Sequence, residues 1–253
     1  MEYLSSPYTE EERSSENFKA SMKFLSDLEK KAQSHPVFNH PFLKEFADGM
    51  YGREGAVFVM TQIGKMVHPF TAAICALMGR SPDIRSRFVL FDNLYEEMGR
   101  GKLEQSHPFL YQDMLTSMGV SPEKLEQAET ITSVRLLNDS IFDAILRKPF
   151  AVGCSWLGFG GELTIPNNFP YLMDGIKGAF SNGEVDFGFW DRHGDRDQEH
   201  SDDATTVLAM NMTVEDHPVI EREVYNSLTL RKLIWDECRE KCAEFARQPA
   251  GAV

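Results

Sequence analysis

The stretch FWDRHGDRDQEHSDD, residues 189–203, carries His193, Asp197 and His200 in the spacing H-x-x-x-D-x-x-H. On a helix turning about 100° per residue, positions i, i+4 and i+7 fall within an arc of roughly 60°. Two imidazoles and a carboxylate then leave one side of the helix together. Such a set binds iron, manganese or zinc, and the carboxylate-rich surroundings favour iron or manganese over a thiolate-type zinc site. A solvated acidic helix face is the plain alternative. Gly188 and Gly194 each cost a helix interior about 1 kcal/mol relative to Ala, and neighbouring acids repel one another. This helix is therefore expected to be marginal until a metal orders it.

Other residues extend the set. In FDNLYEEMGRGKLEQSHPFL, Glu96 and Glu97 close an amphipathic helix, a Gly-containing loop follows, and a new helix starts at His107. A carboxylate and an imidazole can converge from the two sides of that turn. In CSWLGFGGELTIP, Glu162 stands among Trp156, Leu157, Phe159 and Leu163. A carboxylate there needs a partner, because burying an unpaired charge is expensive. The candidates are a metal, Arg147, or an outward-facing position on the helix. Glu97, His107, Glu162, His193, Asp197 and His200 together supply three carboxylates and three imidazoles, the donor kit that bundles use to hold two metals.

The remaining histidines read differently. His35, His40, His68, His107 and His217 each precede a proline, and proline is favoured in the first helical turn. For His35, His40 and His217 a cap position is the expectation. Cys75, Cys154, Cys238 and Cys242 are scattered thiols that read as packing residues of a reducing compartment. Cys238 and Cys242 share a helix face, but no second ligand pair accompanies them.

The elements that must position these groups are helices. Apolar residues recur at helical spacing in FKASMKFLSDLEKKA, VFVMTQIGKMVHPFTAAICALM and SVRLLNDSIFDAILRKPF, while alternating β-branched runs are absent. Clusters of Gly, Pro, Ser, Asn and Asp divide the chain into eight or nine predicted helices. The expected fold is all-α, as a single domain. The 253 residues suffice for a full core, 42% are hydrophobic, and no apolar run approaches a bilayer span. A net charge of −13 repels phosphate backbones, so nucleic acid is excluded as a partner, as is a membrane. The start, MEYLSSPYTEEERSS, has no basic region followed by an apolar run, which reads as cytoplasmic.

At these residues the chain resembles the heme-oxygenase-like diiron oxidases, relatives of thiaminase II and of the cofactorless quinone-cofactor synthase. The resemblance covers roughly residues 35–214. It is carried by HPFLKEFADGMYGREGAVFVMTQIG, NLYEEMGRG, SHPFL, GGELTIP and HGDRDQEH. The order Glu, His, Glu, then H-x-x-x-D-x-x-H resembles the family's six-ligand pattern. What it implies is a heme-oxygenase-like helical bundle at residues 34–253 behind an N-terminal helical extension at 1–33. It also implies two Fe(II), with manganese as the alternative, and O2 as co-substrate through a peroxo-diferric species. The family's carboxylate sits two residues before the loop glycine, here Gly99, which selects Glu97 over Glu96.

The N-oxygenating branch carries an additional Glu on the earlier helix. No carboxylate lies between Glu54 and Asp83 here; Thr71 takes the matching place and His68 precedes it by one turn. C–H abstraction with fragmentation or desaturation of a small amino-acid or carboxylic-acid metabolite is therefore the expected chemistry, with N-oxygenation of an amine or amino acid as the alternative. Two further alternatives remain: a thiaminase-like hydrolase using Cys154, and a non-catalytic iron-binding helical protein. Phe58, Met66, Phe70 and Tyr95 are candidate pocket residues, with Lys65 or Arg147 as the cation for a substrate carboxylate. An external electron donor and a homodimer are compatible with the fold class.

Overall fold

A computed structural model describes residues 7–193 and 197–245, except the side chains of 193–202. The described residues hold no strand and fourteen α-helical segments, nine of them seven residues or longer. These nine correspond to the helices the punctuation predicts. The five shorter segments run from three to six residues. In order the helices are α1 Glu10–Arg13, α2 Glu16–Ala32, α3 Pro41–Ala47, α4 Gly52–Arg80, α5 Ile84–Glu97, α6 His107–Ser117 and α7 Pro122–Gln127. Then follow α8 Thr132–Arg147, α9 Phe150–Cys154, α10 Gly160–Glu162, α11 Ile165–Ala179, α12 Gly188–His193, α13 Asp197–Met210 and α14 His217–Phe245.

Local chemistry sets many of the starts. Asp83 accepts from the backbone N–H groups of Arg85 and Ser86 to open α5, and Ser121 with Pro122 opens α7. His40 meets its expectation: it caps α3 by accepting from Phe42 N–H ahead of Pro41. His217 opens α14 and stacks on Phe24 at 4.0 Å between ring centroids. His35 differs, because its Nδ1 accepts from Val37 N–H inside a turn that no helix continues.

The long α4 is the central post, packed against α5, α6, α8, α11 and α14. The second long helix, α14, lies across α8 and α3, and α2 packs on α13. Leu25 and Leu28 of α2 are buried with the rest of the core, so the N-terminal segment shares it. No helix among the described residues is long and apolar enough to cross a membrane.

Candidate metal centre

Glu97 ends α5 and His107 begins α6, and the turn between them folds back tightly. Gly99, Arg100 and Gly101 have φ of 67°, 56° and 83°, a left-handed run that glycine tolerates and other residues resist. At Gly99 a Cβ would lie 2.5 Å from the carbonyl carbon of Gln105, so the returning chain passes where a side chain would be. The reversal brings His107 Nδ1 to 2.6 Å from Glu97 Oε2, with the two residues 6% and 7% exposed. Glu96 points away, and its carboxylate accepts from Arg100 Nε at 2.8 Å.

Glu162 arrives by a different route. Between α9 and α10 the backbone makes a π-helical turn at Ser155–Phe159, the kind of one-residue slip often found at functional positions. Glycines in this turn and after it permit close packing. A Cβ on Gly158 would meet Ala204 of α13 at 2.7 Å, and one on Gly161 would meet Arg231 Nη2 of α14 at 3.1 Å. Burial pushes the Arg231 guanidinium down to about 10, while the Glu162 charge pulls it upward. The guanidinium stays protonated at neutral pH.

Glu97, His107 and Glu162, from three helices, line one cavity of about 170 Å³. Its walls are largely apolar and include Met66, Phe70, Phe142, Phe169 and Phe189. Phe189, on the helix that ends at His193, packs edge-on against His107 and Tyr111. The side chains of His193, Asp197 and His200 lie outside the described residues, as do residues 194–196 altogether. Helix is assigned on either side, with His193 closing α12 and Asp197 opening α13. Among the described residues no three of His, Cys, Asp and Glu form a metal cradle. The donors that are described, an imidazole and two carboxylates on one buried cavity, suit a hard or borderline divalent metal such as iron.

Several predicted neighbours stand elsewhere. Met66 and Phe70 line the cavity, but Phe58 packs against Phe245 on another face and Tyr95 stacks on Phe91. Neither expected cation reaches the site. Lys65 donates to the Glu126 carbonyl, and Arg147 is exposed beside Asp143 of its own helix. Both sit on helix faces turned from the core, which spacing by itself did not separate from inward ones. Cys154 is buried and lines a smaller adjoining cavity with Glu162 and Asp203. Burial pushes its thiol far above the ordinary value, opposite to what a thiolate nucleophile needs. Cys238 and Cys242 are likewise buried free thiols.

Five polar residues of the cavity escaped the sequence reading: Arg231, Trp235, Asn138, Thr164 and Asn168. A signal for the first existed. Val224, Leu228, Arg231, Trp235 and Cys238 recur at helical spacing, and an arginine on an apolar stripe calls for an inward partner.

The model of a family described as "Iron-containing redox enzyme" matches residues 59–235, and the chain belongs to that family. A 4-aminobenzoate synthase of Chlamydia muridarum is 25% identical over 212 residues, covering 82% of this chain and 88% of that protein. The Chlamydia trachomatis protein of the same name is 24% identical over 211 residues, covering 82% and 89%. Among solved structures, a CADD-like protein of unknown function from Nostoc punctiforme superposes with a TM-score of 0.71 at 15% identity, covering 88% of this chain and 99% of that one. A TenA homologue from Pseudomonas syringae gives 0.68 at 14%, covering 88% and 92%. Another neighbour, from Shewanella denitrificans, has a heme oxygenase-like fold, with a TM-score of 0.65 at 16% identity, covering 92% and 95%. The fold is heme-oxygenase-like.

Proposed function

We propose that the protein is a non-heme diiron oxidase or oxygenase that uses O2 to oxidise a small metabolite bearing a carboxyl group. The six side chains that would hold two irons are Glu97, His107, Glu162, His193, Asp197 and His200. The observation that carries the reading is the convergence of Glu97, His107 and Glu162 from separate helices on one largely apolar cavity. Loaded with Fe(II), the site would supply electrons to O2 and so an oxidant for a substrate bond.

The chain's own contribution is positioning and exclusion. The turn at residues 99–106 holds Glu97 and His107 in contact before any ligand arrives, so little ordering remains at binding. The π-helical turn and the glycines after it bring Glu162 to the same space without a side chain intervening. Phe70, Phe142, Phe169 and Leu137 keep water from the reacting centre. His107 must be neutral and the carboxylates ionised to act as ligands, so metal occupancy falls on acidification.

C–H abstraction leading to fragmentation or desaturation is the favoured reaction, supported by the absence of a carboxylate between Glu54 and Asp83 on α4. The chlamydial relatives are named for the synthesis of an aromatic amino acid, 4-aminobenzoate, which is in keeping with a small carboxylate. A site of this kind needs an external electron donor whenever the substrate supplies fewer electrons than O2 takes up. Cytoplasmic residence is part of the proposal.

The test is anaerobic titration with Fe(II), followed by mixing with O2 in the stopped flow, for the wild type and His200→Ala. The panel comprises amino acids, fatty acids and aromatic acids. About two irons per chain and a transient visible band triggered by one substrate class are expected, with the band lost in the variant. Failure to bind iron would sink the proposal.

A further inference from the structure

Away from the cavity, one outer surface of the fold is apolar. On α5, Ile84, Phe88, Phe91, Tyr95 and the cap residue Met98 follow one another at intervals of four, three, four and three residues. That is the spacing of a heptad seam, the pattern by which one helix packs along another. At about 100° per residue the five side chains fall within an arc of roughly 80°. Ser86, Val89, Leu90 and Glu97, the buried residues of α5, lie on the opposite side. A helix that only covered the core would carry polar residues on its outer side.

The seam is open to solvent. Ile84 is 70% exposed, Phe91 51%, and Phe88 and Met98 38% each, while Tyr95 is half-buried and stacks on Phe91 at 6.3 Å. Single exposed hydrophobics are ordinary, but a continuous row about 21 Å long marks a surface that something covers. The charges beside it indicate what. Arg85, Asp92 and Glu96 flank the row on one side, within an arc of about 40°, and Arg87 flanks it on the other. Arg85 pairs with Glu12 of α1, and Arg100 Nε donates to Glu96 at 2.8 Å. The chain as a whole carries −13, yet on this face Arg85, Arg87 and Arg100 offset Asp92 and Glu96. Two copies can therefore meet here without the repulsion that their net charge imposes elsewhere.

We propose that α5 is the seam of a homodimer, in which two copies pair their α5 helices antiparallel about a two-fold axis at Phe91. A two-fold contact is self-complementary: Ile84 of one copy meets Met98 of the other, and Phe88 meets the other copy's Leu94 and Tyr95. In this arrangement the flank that carries Arg85 and Glu96 faces itself, so Arg85 of each copy lies across from Glu96 of the other. Glu12 and Arg85 of one copy, then Glu96 and Arg100 of the other, make a row of alternating sign. A parallel pair would set Arg85 against Arg87 instead. A lipid surface is a poor occupant, because anionic headgroups repel an acidic chain and this face lacks the excess of Lys and Arg that membrane-lying helices carry. The seam is independent of the oxidase chemistry, although Met98 ends it beside the turn that joins Glu97 to His107.

Sedimentation velocity of the full chain, at micromolar concentration and physiological salt, tests this for wild type, Phe91→Glu, Arg85→Glu, Glu96→Arg and an equimolar mixture of the last two. Wild type is expected to sediment as a dimer. Phe91→Glu places two carboxylates at the axis and should give a monomer whose unfolding midpoint stays close to that of the wild type, since about half of the side chain is in solvent. Arg85→Glu and Glu96→Arg alone each set like charges across the seam and should weaken dimerisation about tenfold. Their mixture restores opposite charges at both places and should recover most of the wild-type affinity, a result that the antiparallel pairing gives and the parallel one does not.

A wild type that stays monomeric at micromolar concentration would overturn the proposal, as would a dimer that survives Phe91→Glu. If Phe91→Glu does not fold, the two charge variants and their mixture still decide the matter, because absence of recovery on mixing rules this pairing out. Co-flotation of a monomeric wild type with vesicles of phosphatidylcholine and phosphatidylserine would assign the row to a lipid surface and overturn the dimer.

Discussion

Two buried carboxylates in this protein, Glu223 and Glu97, are 4% and 7% exposed, yet their surroundings differ. Glu223 on α14 is filled by donors: Trp156 Nε1 at 2.8 Å, Lys148 Nζ at 2.9 Å and Arg222 at 3.3 Å. Glu97 meets the imidazole of His107 and opens on a cavity. A carboxylate surrounded by donors is a structural tie. One that shares a cavity with an imidazole and a second carboxylate is placed to hold a ligand. Burial alone does not separate these roles; what fills the remaining lone pairs does.

The comparison is broken most sharply at Glu97 and His107. Glu97→Ala and His107→Ala are each expected to lower Fe(II) affinity by on the order of 100-fold, given that even the groups supporting metal ligands are worth about 10–100-fold. The midpoint of thermal unfolding of the metal-free chain should hardly change. Anaerobic metal titration and calorimetry check both halves. A variant with a clearly lowered midpoint and unchanged iron affinity would place Glu97 with Glu223 as a structural tie.

Glu223→Ala should do the reverse, leaving Trp156 and Lys148 without their acceptor at a cost of about 2–3 kcal/mol, while iron per chain is unaffected. Its pH dependence follows from the pKa. Burial alone would raise the Glu223 carboxyl, but the hydrogen bonds from Lys148 and Trp156 outweigh it, and the net value lies below the ordinary 4.5. The ionised group therefore stabilises the fold fully above pH 4.5, and its contribution is lost as pH falls through the lower folded-state value. The stability gap between wild type and Glu223→Gln, measured by urea unfolding, should be full near pH 7 and close below pH 4.5.

Gly99→Ala sharpens the comparison by moving one region without touching its chemistry. With φ of 67° and the Gln105 carbonyl carbon 2.5 Å from where the methyl would sit, the turn must open at a cost of about 1–3 kcal/mol. Because the same turn joins Glu97 to His107, iron affinity should fall along with stability. Smallest of all is Cys154→Ala, a buried truncation expected to cost about 1 kcal/mol and to leave turnover intact. Loss of turnover there would revive hydrolysis by a cysteine.

Much of this was legible in the sequence because local signals are strong for helices. The clusters of Gly, Pro, Ser, Asn and Asp and the 3.6-residue periodicity placed the long elements, and the His-Pro pair marked the cap at His40. The glycine after Glu97, followed at short range by His107, announced a tight return. Glu162 stood out as a charge in an apolar stretch. The polar lining contributed by α14 was harder to see. Arg231 lies on an apolar stripe of α14, whose partners come from α3, α8 and α10, and Lys65 and Arg147 looked equally eligible until the packing turned them outward.

The sequence by itself determined the helical class, the donor types and the acidic net charge, since each depends on residue identity and short-range spacing. Only the tertiary structure decided which polar groups share a cavity. Glu97, His107, Glu162, Arg231 and Trp235 come from α5, α6, α10 and α14, and over such separations it is the packing of helices, with glycines at 158, 160 and 161 permitting close approach, that sets which side chains meet.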